Sequence, residues 1–134
     1  MSLSSTVRSW GIAVCLLVGA TVFAGELDSL KNTTPAERAA AQTAMMKSKL
    51  GLSDDQVSKI GALNLKYAEQ MQPIIAGTEG PMMKMRDFRK VEDQKEAELK
   101  GVLSPDQFQK FQAMKEEMRE QLMDKIQQQR NAGS

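Results

Sequence analysis

Leu52-Ser53-Asp54-Asp55-Gln56-Val57, and again Leu103-Ser104-Pro105-Asp106-Gln107-Phe108, decide how this chain folds. Each stretch places a hydroxyl where the free amides of a helix start need an acceptor. Each also sets a glutamine three residues on, able to reach back to the cap amide. Leu52 can staple onto Val57, and Leu103 onto Phe108, across the first turn. Pro105 suits the first helical position, where a missing N–H costs nothing. Both stretches therefore predict helix starts, at Ser53 and Ser104. A shift of 51 residues aligns more than the caps: Lys59 falls on Lys110, Ile60 on Phe111, Ala62 on Ala113, Glu69 on Glu120 and Gln70 on Gln121. The match predicts a helix pair used twice. Two capping boxes that arose independently are the plainer alternative.

Working outward, Thr34-Pro35-Ala36-Glu37 is a third box and predicts a first helix to about Lys49, with Gly51 just past its end. The helix after Ser53 carries Val57, Ile60, Leu63, Tyr67, Met71 and Ile74 at spacings of three and four, and persists to about Ala76, about 34 Å in all. Gly77-Thr78-Glu79-Gly80-Pro81 has turn chemistry. A third helix is expected from Met82 to Lys100, closed by Gly101, with Met82, Met85, Phe88, Val91 and Leu99 as its apolar residues. Glu92, Asp93, Lys95, Glu96 and Glu98 fill its middle, so it reads as half exposed. The fourth helix carries Phe108, Phe111, Met114, Met118, Leu122 and Ile126; the chain from Gln127 reads as fraying, with 130–134 a disordered tail. The fold class is all-α, with four helices in one domain over 34–129 preceded by a flexible stretch at 25–33.

Arg8, the apolar run from Trp10 to Phe23 and the small residues of Val22-Phe23-Ala24 have the form of a cleavable export signal, cut after Ala24. The rival, an uncleaved anchor, has an apolar run of about 15 residues against the roughly 20 that span a bilayer. A lipoprotein reading of Cys15 fails because branched Val14 precedes it and the apolar run continues beyond. Cys15 then leaves with the signal. The chain has 18 Lys and Arg against 17 Asp and Glu, and loss of Arg8 leaves the signs balanced. That balance argues against nucleic acid as the main partner. Without Cys15 no disulfide is possible, so stability rests on packing.

Catalysis finds few candidates. The sequence has no histidine to serve as a base near neutral pH. Ser53 and Ser104 sit at cap positions, and no base adjoins them. Asp54-Asp55 and Glu92-Asp93 are sequence neighbours that point apart on a helix, and acids in a first turn suit the helix dipole. No phosphate-binding glycine loop occurs. The expectation is a protein that is not an enzyme and needs no cofactor and no metal.

The paired boxes, in a short helical chain behind an export signal, resemble the LTxxQ-motif family of periplasmic proteins, the Spy/CpxP-like group. The resemblance covers about residues 35–126, with Ser where the family most often has Thr. It implies a thin, curved, hairpin-like protomer that forms an antiparallel cradle-shaped dimer in the periplasm. It also implies that Leu52, Ser53, Gln56, Leu103, Ser104 and Gln107 are structural positions. The family's chaperones present a basic concave face, and here the signs balance.

Of the 10 methionines only Met1 precedes the cut, and three stand together in Met82-Met83-Lys84-Met85. Three readings compete: core packing, a soft thioether site for Cu(I), and an adaptable surface that repacks against many partners. Core packing is expected of Met71, Met114 and Met118. Met82, Met83 and Met85 cannot all face one way on a helix. Lys84, Arg86, Arg89 and Lys90 surround them, with Phe88. Met82, Met83, Met85, Arg86, Phe88, Arg89 and Lys90 are therefore the candidate client-binding residues; a solvated face with one buried stripe is the alternative. The functional expectation is an ATP-independent periplasmic chaperone for misfolding envelope proteins under envelope stress. The alternatives are a regulatory adaptor for an envelope-stress sensor kinase and, last, a metal-responsive binder.

Overall fold

The computed structural model describes residues 31–133, and among them it holds four α-helices and no strand. These are α1 (Pro35–Leu50), α2 (Asp54–Ala76), α3 (Pro81–Val102) and α4 (Pro105–Ala132). The export segment expected at 1–24 and the chain up to residue 30 lie outside the described residues.

Three helices start on closed capping boxes. The Thr34, Ser53 and Ser104 hydroxyls accept from the amides of Glu37, Gln56 and Gln107, and each of these side chains bonds back to the cap amide. α3 starts instead on Gly80, without a side-chain cap, with Pro81 at its first position. Gly51 ends α1 at φ 63, the left-handed region that a side chain would strain, and donates its N–H to Lys47 O at 3.1 Å.

Two boundaries differ from the sequence expectation. Gly101 does not close the third helix but lies within it, and Leu103 caps the end by donating to Leu99 O at 2.9 Å. Pro105 explains the shift, because it forces Ser104 into an extended conformation, and the break falls there rather than at the glycine. The tail expected to fray stays helical through Ala132. No Gly or Pro interrupts Asp106 to Ala132, and the Gln, Arg and Ala residues there favour helix.

The main contacts run α1 to α2 and α2 to α3, while α4 packs less extensively on α1 and α3, and its buried described side chains all fall in its first half. Met46, Leu50, Leu52, Ile60, Leu99, Leu103, Phe111, Met114 and Met118 form one buried cluster where the two Leu-Ser boxes meet. Beyond Met118 every described side chain of α4 is exposed, including Met123 at 52%. That outer half is about 21 Å of helix projecting from the body. The side chains of Leu122 and Ile126, expected on the apolar stripe, lie outside the described residues.

The inward face of α3 is Lys84, Phe88, Glu92, Lys95 and Leu99. The apolar stripe expected on this helix shares only Phe88 and Leu99 with it. Those two residues stand three turns apart and fix the face turned to the core, and positions 84, 92 and 95 necessarily lie on that face with them. In α2 the inward face holds Asn64, Ala68 and Ile75 beside Ile60, Tyr67 and Met71, while Val57, Leu63 and Ile74 are only half-buried.

Candidate functional site

The two Leu-Ser boxes meet in space. Gln56 Nε2 donates to Gln107 Oε1 at 2.6 Å, and Gln107 Nε2 donates back to Gln56 Oε1 at 3.0 Å. Each amide oxygen also accepts from its own cap, Ser53 N or Ser104 N, at 3.0 Å. Gln56 Nε2 reaches Val102 O at 3.2 Å, and Gln107 Nε2 reaches Leu50 O at 3.4 Å, so the pair also satisfies carbonyls at the ends of α1 and α3. Leu52 and Leu103, each one residue ahead of its cap, are buried in the core cluster. Both side-chain amides of the pair are thus engaged in structure, at their oxygens and at their nitrogens.

The candidate client-binding segment divides between two faces. Met82, 85% exposed, Met83, Arg86, Arg89 and Lys90 point outward from α3; Met85 is half-buried. Phe88 does not join them. At 5% exposure it belongs to the core, as does Lys84, whose ammonium donates to Ile75 O at 3.4 Å. The outward face is thus methionine and cation without an aromatic. Arg86 holds only a long, exposed contact of 3.4 Å to Asp87, worth little to stability.

A second apolar surface lies along α1 and α2, where Ala36, Ala40, Ala44, Gly61, Ala62 and Leu65 line an open groove of about 570 Å³. Small residues let the two helices approach closely and leave this shallow trough.

A polar layer crosses the bundle that hydrophobic counting did not reveal. Arg38, Gln42, Asn64, Glu92 and Lys95 are all buried. Arg38 donates to Thr33 O and Gln72 Oε1, both at 2.6 Å, which ties down a residue of the stretch expected to be flexible. Lys95 Nζ donates to Gln42 Oε1 at 2.6 Å, and Asn64 Nδ2 to Thr43 Oγ1 at 2.9 Å. Glu92 Oε1, Gln42 Nε2 and Asn64 Oδ1 have no hydrogen-bond partner among the described residues. Burial drives the Glu92 carboxyl up to about 7 against the pull of Lys95 and Lys115, and the Lys95 ammonium down to about 8 against the pull of Glu92. The one signal in the sequence was register: Glu92 and Lys95 lie four and seven residues after Phe88.

Among the described residues no cluster of three or more His, Cys, Asp or Glu could hold a metal ion, and no helix is long and apolar enough to cross a membrane.

These features define an all-α protein whose described residues form four helices clasped where two capping boxes join, with methionine and cations on an outward helix face. The chain belongs to the family described as a domain of unknown function (DUF4890), whose profile matches residues 26–111. The matched span takes in α1, α2, α3 and the first turns of α4, and so includes both boxes and the glutamine pair. No curated protein and no solved structure matches the chain.

Proposed function

We propose that the protein is an exported, nucleotide-independent chaperone that holds non-native polypeptides of the cell envelope, in the manner of the LTxxQ-motif group. The outward face of α3 carries this reading. Met82 and Met83 offer flexible, polarizable side chains that adapt to varied apolar segments, and Arg86, Arg89 and Lys90 beside them speed encounter with acidic or unfolded chains. Large side chains left in water suit loose, non-directional contact. The groove along α1 and α2 adds apolar surface on which a bound segment can continue.

The test is suppression of client aggregation. Protein purified after expression of the full chain, at stoichiometric amounts and without nucleotide, should keep a reduced client soluble. A Met82→Ser, Met83→Ser double variant should weaken the effect several-fold without unfolding the bundle. No protection at several-fold excess would overturn the reading. One dominant partner captured from envelope extract, in place of a broad spectrum, would favour a regulatory adaptor. Export is tested by N-terminal sequencing of periplasmic material, which should begin at Gly25.

A further inference from the structure

The polar layer is costly to keep. Glu92 is 7% exposed and Lys95 2%, yet neither carboxylate oxygen lies close enough to the ammonium to make an ion pair, and Lys95 turns to a neutral amide on α1 instead. Buried charges without close partners weaken a fold, and apolar residues of similar volume commonly stabilise such a site. Of the four buried charges, Lys84, Glu92 and Lys95 belong to α3, while the fourth, Arg38 on α1, donates to Thr33, Ala68 and Gln72. This helix also starts on a glycine cap without a side-chain bond, and its inward lysine at 84 has only a 3.4 Å contact with a carbonyl. By contrast α1 and α2 meet along a groove of alanine, glycine and threonine, and the polar groups buried between them are bonded across it, Arg38 to Gln72 and Asn64 to Thr43. The weak seam of the bundle is therefore the inner face of α3.

We propose that the layer formed by Gln42, Glu92 and Lys95 is a proton-operated latch on α3. With a proton on Glu92 the helix stays shut against α1 and α2; without it the helix lifts and uncovers the apolar residues beneath. The charged groups around Glu92 are Lys95, Glu96 and Asp93 on its own helix and Lys115 from α4. The other buried titratable groups on the facing helices are Arg38 on α1 and Tyr67 on α2. Arg38 is occupied by Thr33, Ala68 and Gln72, and Tyr67 by Glu98, so neither neutralises Glu92. The nearest cations already act on it, and burial still prevails.

The direction follows from linkage. An acid raised from 4.5 to about 7 binds its proton more tightly in the closed state. That contribution to stability is complete below 4.5 and is lost as pH rises through 7. Lys95, lowered to about 8, contributes in the opposite sense, above pH 8. The closed state is therefore weakest near pH 7–8. Mild acid, down to about 5.5, tightens it before the ordinary carboxylates titrate. The latch does not depend on what the protein binds.

Hydrogen exchange of α3 peptides, corrected for intrinsic rates, measures the opening equilibrium directly. In the full chain it should fall five- to tenfold between pH 7 and 6, approaching the one-proton limit. Glu92→Gln should abolish that slope. A flat or rising profile in the unaltered protein, or an unchanged slope in Glu92→Gln, would overturn the latch. Carbon-13 labelling of glutamate supplies a readout that needs no variant: one carboxyl should titrate near neutral pH, and if all of them titrate near 4.5 the proposal fails.

Discussion

The side-chain amides of Gln56 and Gln107, 51 residues apart, bond to each other in both directions while each still serves its own capping box. A residue whose local duty is to finish a helix start thus also joins two distant starts. Alanine at either position should cost about 1–2 kcal/mol, since it removes a cap contact and strands the partner amide. The two substitutions should not add. A double-mutant cycle by urea unfolding should show a coupling of about 0.5–1.5 kcal/mol, and additivity would mean that the pair contributes nothing beyond its two caps.

Ser53 and Ser104 supply the other half of each box. Ser→Ala at either should cost about 1 kcal/mol, and Ser→Thr should cost little, because the capping oxygen survives. Thermal unfolding followed by circular dichroism separates the two outcomes.

Phe88 and Met82 should part company under mutation. Phe88→Ala opens the core of α3 and should destabilise by about 3–5 kcal/mol. Met82→Ala alters a side chain 85% in water and should stay within about 0.5 kcal/mol. Equal effects would show that α3 presents a different face to the bundle.

Acid should act on a second carboxylate in the sense opposite to Glu92. Burial pushes Glu96 up, but the Lys115 ammonium and the Gln112 amide bonded to it hold it, on balance, below the ordinary range. Its contribution is present above 4.5 and is lost as pH falls below that value. Lys115→Met should therefore remove part of the stability at pH 7 and shrink the loss between pH 5 and 3, as read from the denaturant midpoint.

Chain ending after Gln121 should unfold at nearly the same temperature as the full chain. The described side chains of α4 beyond that point are exposed and touch little of the body. A drop of more than a few degrees would show that the outer half of α4 is anchored.

Helix starts were legible in the sequence because a cap is a local arrangement: Thr34, Ser53 and Ser104 need only residues three positions away. The meeting of Gln56 with Gln107 was visible only as a repeat, since equal spacing does not say that two copies touch. The face of α3 is not legible from its apolar residues, because Met82, Met85 and Val91 do not seek the core. Phe88 and Leu99 determined the rotation, and Glu92 and Lys95 were carried inward by helical geometry. Nothing local marks such residues as buried. Arg38 and Gln42 entered the core of α1 by the same route, their partners lying on α2 and α3, at Gln72 and Lys95. Of the candidate client-binding residues, the outward position of Met82 was open to reading only as a geometric constraint on three adjacent methionines.

The outer half of α4 has a mechanical meaning. Its described anchoring side chains lie between Gln107 and Met118, so the remainder is a lever whose base ends in the glutamine clasp. A tug on Ala132, from cargo or from another copy, would arrive at Gln107 and pass through Gln56 into the start of α2. Load taken at the far turn, Gly77 to Gly80, would have to travel the whole length of the bundle to reach the same place.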